Sequence, residues 1–226
     1  MHVFCDFDGT IARCDVTDLV LQEFAAPAWR DIERDWIEGA IDAAACMRRQ
    51  IALIDATFPQ LDALLETVEI DPGFASFATW CAGRGMPLTV VSDGVDYFIR
   101  QVLARHDLAH LPVFANQLER RPGGGFDLQQ PWRADSCAAG SGVCKCAVTA
   151  RTHALVIYVG DGRSDYCPAR RANVLFAKDS LAVFCAQNRL SHRTYAGFDD
   201  VRDALAGVVF DAETRLAPEA LRWAQS

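Results

Sequence analysis

The amino-acid sequence predicts an α/β protein built on a parallel sheet of about five strands and interrupted near its start by a purely helical insertion. Three observations carry that prediction. Short, unbroken apolar runs end in acidic residues or Asp-Gly pairs, as strands covered on both faces do. Helical patterns fall between the runs, which is the βαβ alternation. The stretch from Arg13 to Asp71 offers helix after helix and no strand.

The first strand is read over residues 2–8, ending in Asp6-Phe7-Asp8, and the next over 87–93, ending in Ser92-Asp93. A third covers 154–161 and ends in Gly160-Asp161, and residues 112–116 and 172–177 complete the sheet. Within the insertion, Pro27 opens a helix whose apolar positions Trp29, Ile32, Trp36 and Ile37 share a face, with Gly39 to stop it. A second helix runs from Ile41 to about Ile54 through Ala44, Met47 and Ile51, and a third from Pro59 through Leu61, Leu64, Leu65 and Val68. Trp29 and Trp36 are assigned to the interior of this insertion. Leu118 to Phe126, with three consecutive glycines, reads as a hairpin running on to Trp132. A helix from about Asp199, carrying Val201, Leu205 and Val208, closes the chain.

A chain of 226 residues, 51% hydrophobic and 23% charged, has enough apolar surface for one domain with an insertion. The formal net charge of -8 and the lack of any Lys/Arg run argue against nucleic acid or an anionic membrane as partner. No apolar stretch approaches the roughly 18 residues of a spanning helix, and no signal peptide is expected. Nine scattered cysteines, an odd number, read as reduced thiols, and the expected compartment is the cytoplasm.

In an open α/β sheet, ligands sit at the carboxyl ends of the strands. Asp6, Asp8, Ser92, Asp93, Asp161 and Asp165 are therefore expected to converge there. Carboxylates packed that closely repel one another unless a cation neutralises them, and oxygen-only donors suit a hard divalent ion, magnesium above all where phosphate shares the shell.

Asp6-Phe7-Asp8-Gly9-Thr10 matches the signature that opens the haloacid dehalogenase superfamily, with Ser92, Lys145 and Gly160-Asp-Gly-Arg-Ser-Asp165 as its second, third and fourth motifs in order. The resemblance extends over the whole chain. It implies a three-layer α/β/α, Rossmann-like core formed by residues 1–12 and 72–226 and a helical cap over 13–71. It implies a magnesium-dependent phosphatase acting on a small-molecule phosphate ester through an aspartyl-phosphate on Asp6, with Asp8 as general acid and then base. The ion is expected on Asp6, Asp8 through its backbone carbonyl, Asp161 and Asp165. Phosphate oxygens are expected on Ser92, the Gly94 N–H, the Thr10 region at a helix start, Asp93 and Lys145. Only Lys145 and Lys178 among 22 basic residues are lysines, and a compact ammonium suits a crowded phosphate site.

An insertion between the first two motifs resembles the subclass that includes phosphoserine phosphatase. The glutamate and cap arginine that hold phosphoserine there align with Asp15 and Gln50, although Arg48 and Arg49 lie close by. Phe24 to Trp29, Pro131-Trp132 and the cysteine-rich 136–146 segment resemble the 2-hydroxy-3-keto-5-methylthiopentenyl-1-phosphate phosphatases of methionine salvage. Phosphocholine and phosphoethanolamine phosphatases share the subclass, but no aromatic cage is evident. A homodimer is common in such enzymes. Cys137, Cys144 and Cys146 match zinc spacing poorly. A phosphoacceptor signalling domain would combine similar strand-end residues, and the helical insertion argues against it.

Overall fold

The structure, a computed structural model, describes residues 1–207; Val208 and the rest of the chain lie outside the described residues. In chain order the strands are β1 (His2–Cys5), β2 (Leu88–Val95), β3 (Val113–Arg120), β4 (Phe126–Gln129), β5 (Val156–Gly160), β6 (Val174–Ala177) and β7 (Arg193–Thr194). They form one sheet in the order β4-β3-β2-β1-β5-β6-β7. The five strands read from the sequence are its parallel centre. Two edges were not in that count. β4 is the return arm of the glycine hairpin and pairs antiparallel with β3, while β7 is two exposed residues too short and polar to leave a pattern.

The alternation of buried residues fixes the layers. Val3 and Cys5 of β1, Val90 of β2, and Ile157 and Val159 of β5 belong to one apolar cluster, while Phe4, Val91 and Tyr158 between them belong to another. Both faces are thus covered, as parallel strands require. Against the first face pack α5 (Phe74–Gly83), α6 (Asp96–Ala104) and the helical residues 198–207. Against the second pack α7 (Lys145–Thr149), α8 (Tyr166–Ala169) and α9 (Asp179–Gln187).

Four helices fill the insertion: α1 (Val16–Phe24), α2 (Trp29–Ile37), α3 (Ala43–Ile51) and α4 (Phe58–Leu65). The second and third predicted helices end earlier than their periodicity suggested, at Ile51 and Leu65, and side chains set their starts. Asp42 accepts from the Ala45 N–H at 2.7 Å, and Thr57 and Gln60 form a capping box. Asp15 caps α1 through the Asp18 N–H at 2.9 Å. At the base of the insertion its two connections hydrogen-bond each other, Asp71 N–H to Ile11 O at 2.8 Å and Arg13 N–H to Glu69 O at 3.0 Å. The expected single apolar face on α2 is split. Trp29 is buried, Ile37 is 65% exposed, and Trp36 lines a cavity instead of the insertion's interior. Among the described residues no helix is long and apolar enough to cross a membrane.

Candidate active site

β1 and β5 lie side by side with Cys5 opposite Val159, so the residues after each strand, Asp6 and Asp161, emerge together. β1 ends sooner than predicted. Asp6 N–H makes the last ladder bond, to Val159 O at 2.9 Å, and Phe7 O then accepts from the N–H groups of Thr10, Ile11 and Ala12, turning the chain back. Gly9 makes that turn at φ +68°, and its Cα lies so close against the Asp161 carboxylate that a β-carbon has no room.

Asp6 Oδ1 accepts from the Phe7 N–H at 2.7 Å, and Oδ2 meets Lys145 Nζ at 2.7 Å. The same ammonium reaches Asp165 Oδ1 at 2.7 Å and Ser164 Oγ at 2.8 Å. Asp165 is fully buried and accepts four protein hydrogen bonds. Lys145 and Tyr158 Oη (2.6 Å) donate to Oδ1, and the N–H groups of Asp161 and Gly162 (3.0 and 3.1 Å) donate to Oδ2.

Burial, and then the charge of Asp165, push the Asp6 carboxyl well above its ordinary range, while Lys145 pulls it back. Burial lifts Asp161 to about 6 against the opposing effect of the Thr10 hydrogen bond. Burial opposes the charge on Lys145, yet Asp165 and Asp6 together hold its ammonium above the ordinary lysine value. One oxygen from each of Asp6, Asp161 and Asp165 lies within 4.8 Å of the others. Hard oxygen donors this close together, Asp6 and Asp165 buried and Asp161 half-buried, suit a divalent cation.

The second carboxylate of the first motif is held apart from this trio. Asp8 Oδ1 accepts from the Val16 N–H at 2.9 Å, and Oδ2 accepts from Ser92 Oγ at 3.4 Å. Burial, followed by the charge of Asp15, pushes the Asp8 carboxyl well above its ordinary range. The β2–β3 register shifts between Val91 and Val95, and this irregularity turns Ser92 toward Asp8. The Gly94 N–H bonds Ser92 Oγ at 2.9 Å.

Two expected phosphate contacts have other partners. The Thr10 hydroxyl donates to Asp161 Oδ1 at 2.7 Å and belongs to a turn, since the next helix starts only at Val16. Asp93 Oδ1 accepts from the Val143 N–H at 2.9 Å and from Asn116 Nδ2 at 3.4 Å, and so ties β2 to the loop that delivers Lys145. It does not cap the following helix. Ser164, Tyr158 and Asn116 were not singled out from sequence. Ser164 sits inside the fourth motif, whereas Tyr158 and Asn116 read only as strand residues.

Above Asp6 and Asp8 opens a cavity of about 650 Å³, lined from the insertion by Asp15, Asp18, Glu33, Trp36, Met47 and Gln50. Gln50 Nε2 donates to Glu33 Oε2 at 2.8 Å. Arg48 and Arg49 are exposed and do not line the cavity. Among the described residues, arginines reach it only from the sheet side, at Arg163 and Arg170. All nine thiols are free.

The family model for haloacid dehalogenase-like hydrolases matches residues 3–170. The chain belongs to this family. Among relatives of this haloacid dehalogenase-like hydrolase, the 2-hydroxy-3-keto-5-methylthiopentenyl-1-phosphate phosphatase of Brevibacillus brevis is 31% identical over 206 residues, covering 88% of this chain and 92% of that one. The protein of the same description from Geobacillus kaustophilus is 30% identical over 209 residues, covering 90% and 94%. A solved phospho-aspartyl intermediate analogue of phosphoserine phosphatase shares the fold, with a TM-score of 0.64 at 18% identity over 90% of this chain and 96% of that one.

Proposed function

We propose that this hydrolase removes phosphate from a small monoester through an aspartyl-phosphate on Asp6, with residues 13–71 as a cap over a core formed by 1–12 and 72–226. The observation that carries the reading is the pairing at the cavity floor: Asp6 charge-paired to Lys145 at 2.7 Å, beside an Asp8 whose acid form is favoured by burial. Asp6 attacks phosphorus, and Asp8 donates its proton to the leaving oxygen. Asp8 then takes a proton from the water that hydrolyses the acyl phosphate, so one group serves both half-reactions. Ser92 Oγ, bonded to Asp8, and the Gly94 N–H, bonded to Ser92 Oγ, are assigned to the phosphoryl oxygens in exchange for those bonds when the ester enters. Asp6, Asp161 and the Asp8 carbonyl would hold magnesium, which supplies neutralising charge to the transferring group when bound. Asp165, with both oxygens already bonded, is assigned to orienting Lys145 and the 161–162 backbone.

For the substrate we propose 2-hydroxy-3-keto-5-methylthiopentenyl 1-phosphate, the compound in the names of the Brevibacillus and Geobacillus relatives. Trp36 and Met47 offer an apolar wall for a thioether tail, and Asp15, Asp18 and Glu33 oppose the carboxylate of phosphoserine. A cytoplasmic location fits nine free thiols.

Phosphate release from that ester or its analogue, phosphoserine, phosphocholine and p-nitrophenyl phosphate, with magnesium or EDTA, tests the reading. Turnover that needs magnesium, prefers the thioether ester and disappears in Asp6→Asn is the expected result. Stable labelling of Asp6 by acetyl phosphate without turnover of any ester would refute it in favour of a phosphoacceptor.

A further inference from the structure

We propose that Arg163 and Trp36 together form the element that reads the leaving group, selecting an uncharged, oxygen-rich one such as a hydroxy-ketone; this rests on the phosphatase reading above. Arg163 follows the acidic trio's Asp161 by two residues and precedes Ser164, whose hydroxyl touches Asp6 at 3.5 Å and Lys145 at 2.8 Å. Its backbone is therefore fixed beside the reacting phosphoryl group. From there the side chain crosses to the insertion, where its guanidinium carbon lies 5.2 Å from the centroid of the Trp36 ring. Both residues line the cavity, one from each side. The ring contact holds the guanidinium over Trp36, and among the described residues the Arg163 side chain makes no hydrogen bond or ion pair with the protein, so its donors are free for a ligand.

Charge around the clamp narrows what it accepts. Asp15, Asp18 and Glu33 on the insertion's wall, across from the backbone of Arg163, disfavour an anionic leaving group but accept hydrogen bonds from hydroxyls. A guanidinium edge has donors only, so its complement is a carbonyl or hydroxyl oxygen. A leaving group carrying both kinds of oxygen and no charge satisfies both walls, and one lacking oxygen leaves the Arg163 donors unmatched.

The test compares dihydroxyacetone phosphate with propyl phosphate, which has the same carbon chain without the extra oxygens, in the full-length protein, Arg163→Ala, Arg163→Lys and Trp36→Ala, with Asp6→Asn as control. The wild-type protein is expected to prefer dihydroxyacetone phosphate. Arg163→Ala is expected to lower the ratio of kcat/KM for the two esters about tenfold, mainly through KM of the hydroxy-ketone ester, as lost uniform binding does. Arg163→Lys, which keeps charge but not the planar fork, is expected to recover only part of the ratio, and Trp36→Ala to lower it in the same direction. A wild-type protein without preference, or a ratio unmoved in both Arg163→Ala and Trp36→Ala, overturns the clamp. In that event Asp6-dependent hydrolysis of either ester still upholds the phosphatase reading, whereas loss of Asp6 dependence overturns both.

Discussion

Replacing Lys145 by Met isolates the electrostatics of the site from its chemistry. One ammonium serves Asp6 at 2.7 Å, Asp165 at 2.7 Å and Ser164 at 2.8 Å, and the two carboxylate side chains are 6% and 0% exposed. Methionine fills similar volume but leaves both carboxylates without their counter-charge. Removing one member of a buried pair costs about 3–5 kcal/mol, and the Ser164 bond adds about 1 kcal/mol. Proton uptake by the orphaned Asp6 offsets part of this, so a net loss of about 3–5 kcal/mol is expected near pH 7. At about 2–4 °C per kcal/mol for a chain of this size, Tm falls by about 10 °C.

The pH dependence has a definite sign. Burial already raises Asp6, and loss of Lys145 raises it further, so the folded variant binds this proton more tightly than the unfolded chain does. The deficit should therefore widen as pH rises from 5 to 8. Urea and thermal unfolding in EDTA, with the double variant Lys145→Met/Asp165→Asn beside it, measure both effects. The double variant should regain at least about 1 kcal/mol, because one orphaned charge is gone. A single variant within about 1 kcal/mol of the parent at every pH would refute the claim that Lys145 neutralises this site.

Tyr158→Phe removes a 2.6 Å hydrogen bond to buried Asp165 and should cost about 1.5–3 kcal/mol by urea denaturation, with weaker magnesium activation because Asp165 no longer holds the Asp161 backbone as firmly. Gly94→Ala places a methyl 2.5 Å from Asp8 Oδ2 and 3.1 Å from Ser92 Oγ, and the displaced acid should lower kcat about 100-fold. Burial, then Asp15 and Glu33, raise Asp18 to about 6, so its ionised form costs stability above that pH. Asp18→Asn should therefore raise Tm at pH 7.5 by a degree or two, with the gain fading as pH falls through about 6 and vanishing below the ordinary Asp value of about 4.

What the sequence showed and what it hid divide along a physical line. Strand-end acids were legible because a parallel sheet leaves its carboxyl ends one way to converge, and Asp6, Asp8, Ser92 and Asp161 do meet there. Thr10 was less legible, because a hydroxyl beside a phosphate motif has the same residue signature whether it faces the ligand or a carboxylate, and here it donates to Asp161. Trp36 was misread for a related reason. Periodicity shows that a helix has an apolar face but not what covers it, and an active-site cavity asks for the same side chains as a core. Tyr158 alternates with Ile157 and Val159 as any strand residue does. Only the folded turn after β5 reveals that its hydroxyl reaches Asp165, at 2.6 Å.

The motifs are also mechanically joined, which no single motif discloses. Asp93 sits one residue beyond Ser92, and its carboxylate takes the Val143 N–H two residues before Lys145. Asn116 of β3 donates to the backbone carbonyls of Asp93 and Gly94 and so braces the same bend. The loop before Lys145 in turn reaches the insertion. Gly140 O accepts from the Ala44 N–H at 2.9 Å, Gln130 Nε2 donates to Ala44 O at 2.9 Å, and Arg133 pairs with Asp42 at 3.0 Å. The lysine that pairs with Asp6 and the helix α3 that walls the cavity therefore hang on one hydrogen-bonded segment. The insertion's side of the cavity cannot move far without moving the charge paired to Asp6.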